Sequence, residues 1–123
     1  MSINVKRVYE PAGDDDGIRI LIDRLWPRGL TKAQASIETW VRDAAPSTEL
    51  RRWFNHQPER WAEFKQRYFA ELRANESAIQ TIRESAARGT VTLLFAAKDT
   101  KSNNATALKE YLISRSKKPP RMN

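Results

Sequence analysis

Three short apolar runs along the chain predict the strands of one small sheet. Residues 3–9 mix Ile3 and Val5 with charged side chains, a pattern typical of a strand near a sheet edge. Residues 18–25 hold three consecutive apolar side chains, and residues 90–97 form a second strongly apolar run. Such runs indicate strands that are covered on both faces.

Helical periodicity is clearest in the middle of the chain. Trp61, Phe64, Tyr68 and Leu72 follow one another at spacings of three, four and four residues, which predicts one apolar stripe on a helix over residues 58–73. Aromatic side chains at this spacing are more typical of a packed core than of a platform on which nucleic-acid bases stack.

Helix ends are marked by capping residues. Thr31 and Gln34 fit a capping box, and Ser47 is a good N-cap for the helix that follows it. Asn75 is predicted to cap the next helix, which should end at Gly89.

The order strand, strand, helices, strand, helix predicts an α/β fold: a single compact domain over residues 1–114, with a small, mostly parallel sheet flanked by helices. Residues 37–41 fit either a helix or a short strand. If the strands at 18–25 and 90–97 are parallel neighbours, their carboxyl ends lie side by side. Residues 115–123 are predicted to form a flexible basic tail.

The amino-acid composition limits the kinds of metal and catalytic site that the chain can form. The chain of 123 residues has no cysteine and one histidine, which excludes thiolate sites and zinc sites with several imidazoles. We expect neither metal nor cofactor, and any chemistry would use carboxylate, guanidinium and ammonium groups or a metal bound by oxygen ligands. The formal charge is +7, but four positive charges follow Ser114, which leaves +3 for residues 1–114. A nucleic-acid-binding module that uses the basic surface and tail is therefore the weaker alternative. No apolar run is long enough to span a membrane, and we expect a cytoplasmic protein.

The first candidate site lies where the strand at residues 18–25 ends. Alternation along that strand places Asp23 on one face and Arg24 with Trp26 on the other. A carboxylate beside the guanidinium groups of Arg24 and Arg28 could act as a base or a polar anchor, while the arginines clamp an anion. The structural alternative is an Asp–Arg ion pair that locks the turn.

The second candidate site follows the strand at residues 90–97. Lys98 and Asp99 stand at its end, and Asn103 or Asn104 can cap the last helix, predicted over residues 105–114. The free N–H groups of that helix, together with Lys98, could bind an anion. The alternative is a solvated loop with an ordinary cap.

Three further features favour structural interpretations. His56 is more typical of a hydrogen-bonding residue between two helices than of a general base, because nothing nearby orients it. The run Asp14-Asp15-Asp16 lacks the spaced ligands of a calcium loop and is interpreted as solvated. If exposed, tryptophans at positions 26, 40 and 53 could form a partner surface without any chemistry.

Five strings are spread over nearly the whole chain: Lys6-Arg7-Val8-Tyr9, Asp23-Arg24-Leu25-Trp26-Pro27-Arg28-Gly29, Ala45-Pro46-Ser47, Ala96-Ala97-Lys98-Asp99 and Asn103-Asn104-Ala105. Together they resemble the YeaO-like family of small bacterial proteins. The resemblance implies a compact α/β domain and carries over no reaction, cofactor or catalytic residue.

The sequence thus predicts a pocket for an anionic or nucleotide-like small molecule at the carboxyl ends of the strands, with an enzymatic role left open. Asp23 and Lys98 are the candidate catalytic residues. The candidate substrate-binding residues are Arg24, Trp26, Arg28, Asp99, Asn103 and Asn104.

Overall fold

Four parallel strands form the sheet of the computed structural model, which describes residues 2–116. The strands are β1 (Ile3–Arg7), β2 (Ile18–Leu21), β3 (Thr39–Trp40) and β4 (Val91–Phe95). Their spatial order is β1-β4-β2-β3, so β4 is central and β1 lies at an edge as predicted. β2 pairs with β4 from Ile18 opposite Val91 to Leu21 opposite Leu94, so the two buried strands are parallel neighbours and the condition for adjacent carboxyl ends is met.

Five α-helices of the described residues flank this sheet, and the single α/β domain with a mostly parallel sheet is confirmed. They are α1 (Lys32–Ala35), α2 (Thr48–Phe54), α3 (Trp61–Ala74), α4 (Gln80–Arg88) and α5 (Asn104–Ser116). Short 3₁₀ helices at Arg42–Ala44, Pro58–Arg60 and Glu76–Ile79 precede α2, α3 and α4.

The two faces of the sheet bury cores of different size. On one face, Val91, Leu93 and Phe95 pack against the apolar sides of α2 to α5 in the larger cluster. On the other face, Leu21 and Leu94 belong to a small cluster that α1 and the adjoining segments cover. β4 is buried along its whole length, as its continuous apolar run predicts.

The predicted aromatic stripe on α3 is confirmed as core. Phe64, Tyr68 and Leu72 are buried in the larger cluster, and Trp61 packs against it half-buried. The first predicted turn of this helix is the 3₁₀ helix Pro58–Arg60.

Two of the predicted caps are confirmed and one is wrong. Thr31 and Gln34 form both hydrogen bonds of a capping box, and the Ser47 hydroxyl accepts a hydrogen bond from the N–H of Leu50 at 3.1 Å. Asn75 makes no side-chain capping bond, because a 3₁₀ turn intervenes before α4 begins.

The interpretation of the acidic loop as solvated is wrong for Asp16. Asp14 and Asp15 are exposed, but Asp16 is 7 % exposed and its carboxylate binds Arg19 at 2.7 Å and Lys6 at 3.1 Å. The loop folds back on the sheet because the hydroxyl of Thr92, in β4, donates to the carbonyl oxygen of Asp16 at 2.7 Å. This hydrogen bond and the two ion pairs anchor the segment that precedes β2.

The remaining expectations concern the surface and the end of the chain. Trp26, Trp40 and Trp53 are all half-buried, so the exposure on which the alternative of a tryptophan partner surface depends is not observed. α5 continues to Ser116, two residues past the predicted boundary, and residues 117–123 of the predicted tail lie outside the described residues. Within residues 2–116, no helix combines the length and apolar character needed to cross a bilayer.

Candidate functional site

A cavity of about 380 Å³ opens where β2 and β4 end. Its lining comes from the turn after β2, the residues after β4, the start of α5, and the α2–α3 side of the larger core. Parallel strands bring both carboxyl ends to this edge, which is where ligands bind in open α/β sheets. The structure therefore forms a cavity at the carboxyl ends of the two strands, where the sequence analysis expects a site if those strands are parallel neighbours.

Asp23 is held between three parts of the chain at the base of this cavity. The N–H of Ala96 donates to one carboxylate oxygen at 2.9 Å, and the side-chain amide of Asn104 donates to the other at 2.9 Å. The same amide also donates to the carbonyl oxygen of Ile22 at 3.2 Å. Asp23 thus connects the end of β2 with the end of β4 and the start of α5.

The environment of Asp23 disfavours the charged form of its carboxyl group. Burial raises the pKa of the Asp23 carboxyl, while Asn104, the N–H of Ala96 and the charge of Arg51 oppose that rise. The structural alternative in which Asp23 pairs with an arginine of its own turn is wrong, since it forms no ion pair with Arg24 or Arg28 in the described residues. Hydrogen-bond donors from neighbouring segments replace that pairing.

Arg24 and Trp26 take different partners, although both line the cavity. The Arg24 guanidinium donates long hydrogen bonds of 3.4 Å to the carbonyl oxygens of Ala45 and Pro46. The Trp26 indole N–H donates to the carbonyl oxygen of Leu30 at 2.7 Å, and its ring packs beside the smaller core. The predicted common face is wrong because β2 ends at Leu21, so alternation no longer governs the residues after it.

Arg28 reaches the cavity from an exposed turn. The Tyr9 hydroxyl donates to the Arg28 carbonyl oxygen at 3.0 Å, which ties this turn to the segment after β1. The structure assigns no hydrogen bond or ion pair to the Arg28 guanidinium within the described part of the chain. Its charge is therefore open to a ligand.

The second predicted cluster divides between the cavity and the solvent. Asn103 caps α5, since its side-chain oxygen accepts from the N–H of Thr106 at 2.8 Å, and it lines the cavity with Asn104. Asp99 accepts hydrogen bonds from the N–H groups of Ser102 and Lys101, which lower its pKa. Lys98 and Asp99 are exposed and do not line the cavity. Six of the eight predicted site residues thus meet, and the expected grouping of Lys98 with the arginines does not occur.

Sequence reasoning missed Arg51 on α2 and assigned His56, just after that helix, to a structural role. Arg51, on α2, lines the cavity with an exposed side chain, and His56 lines it just after the helix with a φ of 54°. His56 is exposed, so its predicted role between two helices is wrong. The only sequence signal was the Ser47 cap, which fixes where α2 starts and hence which side chains face the cavity. Among residues 2–116, no cluster of three or more acidic or histidine side chains could hold a metal ion.

Comparison with known proteins places this architecture in a family. Residues 2–121 match the family described as the inactive DUF488-N3 subclade. The chain belongs to this family. It is 42 % identical over 114 residues to uncharacterized protein YeaO of Escherichia coli strain K12, covering 93 % of this chain and 99 % of that protein. The YeaO-like resemblance is thereby confirmed.

Mycobacterial relatives match the chain over a similar length. It is 41 % identical over 113 residues to uncharacterized protein Rv3073c of Mycobacterium tuberculosis strain H37Rv, covering 92 % of this chain and 95 % of the relative. A Mycobacterium bovis protein, Mb3100c, matches with the same identity and coverage. No solved structure matches the chain.

Proposed function

We propose that this protein binds an anionic small molecule in the cavity at the carboxyl edge of its sheet, without transforming it. The observation that carries the proposal is the charge of the lining. Three guanidinium groups, from Arg24, Arg28 and Arg51, line the cavity together with a single carboxylate, and both oxygens of that carboxylate already accept hydrogen bonds.

The arginines differ in how readily they can bind a ligand. Arg28 and Arg51 are exposed, and Arg24 makes only long hydrogen bonds of 3.4 Å, which a closer anion can replace. Guanidinium groups bind carboxylates and phosphates through paired N–H donors, and such charge-assisted bonds are about twice as strong as neutral ones. An excess of positive charge in a concave site also concentrates anions there.

Several features favour binding over catalysis. Only one of the two candidate catalytic residues lines the cavity, since Asp23 belongs to the lining and Lys98 does not. The Asp23 carboxylate oxygens accept hydrogen bonds from the N–H of Ala96 and the side-chain amide of Asn104. The carboxylate thus links two segments of the fold, which favours a structural role over that of a free base. The family description of an inactive subclade agrees with this assignment.

Calorimetric titration of phosphate, citrate and indole-3-acetate tests the proposal. We expect at least one of these anions to bind the wild type, and the double substitution Arg28→Gln with Arg51→Gln to weaken that binding at least about tenfold. Arg52→Gln is the matched control, since Arg52 neighbours Arg51 on α2, is exposed and does not line the cavity. Failure of all three anions to bind, or an equal loss in the Arg52 variant, refutes the proposal.

Binding of nucleic acid through the basic tail stays a prediction. Three of the four positive charges after Ser114 belong to residues 117–123, which lie outside the described residues. No contact in residues 2–116 favours this second function over the first.

A further inference from the structure

The apolar part of the cavity lining indicates what kind of anion it accepts. Ten of the eighteen lining residues are apolar or aromatic. Only two large hydrophobic side chains of residues 2–116 are exposed, Leu25 at 64 % and Tyr9 at 42 %, and both line this cavity. Exposed apolar surface that is concentrated at one concave site is typical of a binding surface.

Aromatic rings continue this apolar surface into the cavity. Phe54 and Phe64 line it from α2 and α3, with their ring centroids 4.6 Å apart, and Trp26 lines it from the turn after β2. Two of these three rings are buried, so their positions are fixed by the core before any ligand arrives. A rigid aromatic wall favours a ligand with a flat or compact apolar body.

The carboxylate and the two side-chain amides of the lining are committed to the fold. The Asn103 amide donates to the carbonyl oxygen of Asp99 and its oxygen caps α5, while the Asn104 amide donates to Asp23 and to the carbonyl oxygen of Ile22. The uncommitted guanidinium groups of the lining only donate hydrogen bonds, so they suit the oxygens of an acid better than the hydroxyls of a sugar. A ligand rich in hydroxyls would therefore leave polar groups unpaired, which weakens binding.

We propose that the ligand is an amphipathic acid, in which an aromatic or branched aliphatic body carries a carboxylate. This inference rests on the proposed function and adds the chemical class of the ligand. The body contacts Leu25 and the aromatic wall, while the carboxylate contacts the guanidinium groups of Arg28 and Arg51. A single carboxylate is also less costly to remove from water beside apolar side chains than a multiply charged phosphate.

Three probes separate the charge of the ligand from its apolar body. Indole-3-acetate has both, tryptamine carries the same ring with a positive charge, and inorganic phosphate is an anion without a body. By calorimetric titration we expect indole-3-acetate to bind at least about tenfold more tightly than phosphate, because the ring buries apolar surface. We expect no binding of tryptamine.

Substitutions at exposed lining residues show which side chains contact the apolar body of the ligand and which contact its carboxylate. Leu25→Ser should lower the affinity for indole-3-acetate about fivefold to tenfold. It should change the affinity for phosphate by less than about twofold, because it removes only an apolar contact. Arg51→Gln should lower the affinity for both anions. Circular dichroism checks the fold of each variant, and Leu25→Asn replaces Leu25→Ser if the latter fails to fold.

The outcomes distinguish the two proposals. If phosphate binds as tightly as indole-3-acetate, or if removing Leu25 leaves the affinity for indole-3-acetate unchanged, the ligand class is wrong and anion binding stands. If tryptamine binds as tightly as indole-3-acetate, contacts with the aromatic wall alone govern binding, and the proposal that the ligand is an acid is refuted. If no anion binds, the proposed function itself fails.

Discussion

Replacing Asp16 by asparagine tests the buried charge network that precedes β2. The Asp16 carboxylate binds the Arg19 guanidinium at 2.7 Å and the Lys6 ammonium at 3.1 Å, and accepts the N–H of Gly13 at 3.0 Å. The Arg19 side chain is 4 % exposed and also donates to the carbonyl oxygen of Ala35 at 2.8 Å. Asp16→Asn keeps the shape of the side chain and removes the only carboxylate that pairs with Arg19 among the described residues.

Two arguments give similar values for the unfolding free energy that is lost in Asp16→Asn. Burial alone raises the pKa of Asp16, but the hydrogen bonds from Gly13, Arg19 and Lys6 outweigh it and lower the pKa to about 2. Relative to an ordinary aspartate near pKa 3.9, this shift corresponds to about 2 kcal/mol of folding free energy at neutral pH, less the solvent screening of Lys6. Breaking a fully buried pair costs about 3–5 kcal/mol, and the remaining bonds of Arg19 to backbone carbonyls reduce that loss. We expect a loss of about 2–3 kcal/mol.

The pH dependence follows from the sign of the shift. Because folding lowers the pKa of Asp16, its stabilisation is fully present above about pH 5 and is lost as the pH falls through 4 towards 2. The difference in unfolding free energy between wild type and Asp16→Asn should therefore shrink over that range. At pH 7 the difference should be largest.

Urea unfolding followed by tryptophan fluorescence measures this difference. Asp14→Asn and Asp15→Asn are matched controls, because both side chains are exposed neighbours in the same loop, and each should change the unfolding free energy by less than about 0.5 kcal/mol. A loss in Asp16→Asn no larger than in these controls, or a difference that does not change between pH 7 and pH 3, would refute the assigned network.

Two further predictions concern the backbone and a cap. Gly17→Ala should cost at least about 2 kcal/mol in urea unfolding, because φ is +64° and a Cβ would lie 2.0 Å from the carbonyl oxygen of Thr90. Gly89→Ala, where nothing lies within 4 Å, should change it by under about 0.5 kcal/mol, and equal losses would contradict this. Ser47→Ala should cost about 1–2 kcal/mol, since the hydroxyl caps α2 and donates to Glu71 of α3. It should also weaken anion binding in the same calorimetric titration, and an unchanged affinity would show that the cap does not position Arg51.

Features encoded by neighbouring residues were predictable from the sequence. The continuous apolar run of β4, the stripe on α3 and the capping box at Thr31 each depend on spacing within a few residues, and each is confirmed. The sequence also permitted the parallel pairing of β2 with β4, because a long helical segment between two buried strands allows a crossover, but only the structure decided the strand order. The edge of the sheet that carries the cavity was therefore predictable only on the condition that these two strands are neighbours.

Only the tertiary structure decided which side chains meet at that edge. Alternation predicts side-chain direction only while the strand lasts, and β2 ends at Leu21, so the turn geometry directs Arg24 and Trp26 to different partners. Arg51 reaches the cavity from α2, and Lys98 stays outside although it directly follows the β4 region. Sequence determined the elements because their signals are local. Packing determined the composition of the site, because contacts between distant segments depend on how the loops return to the sheet.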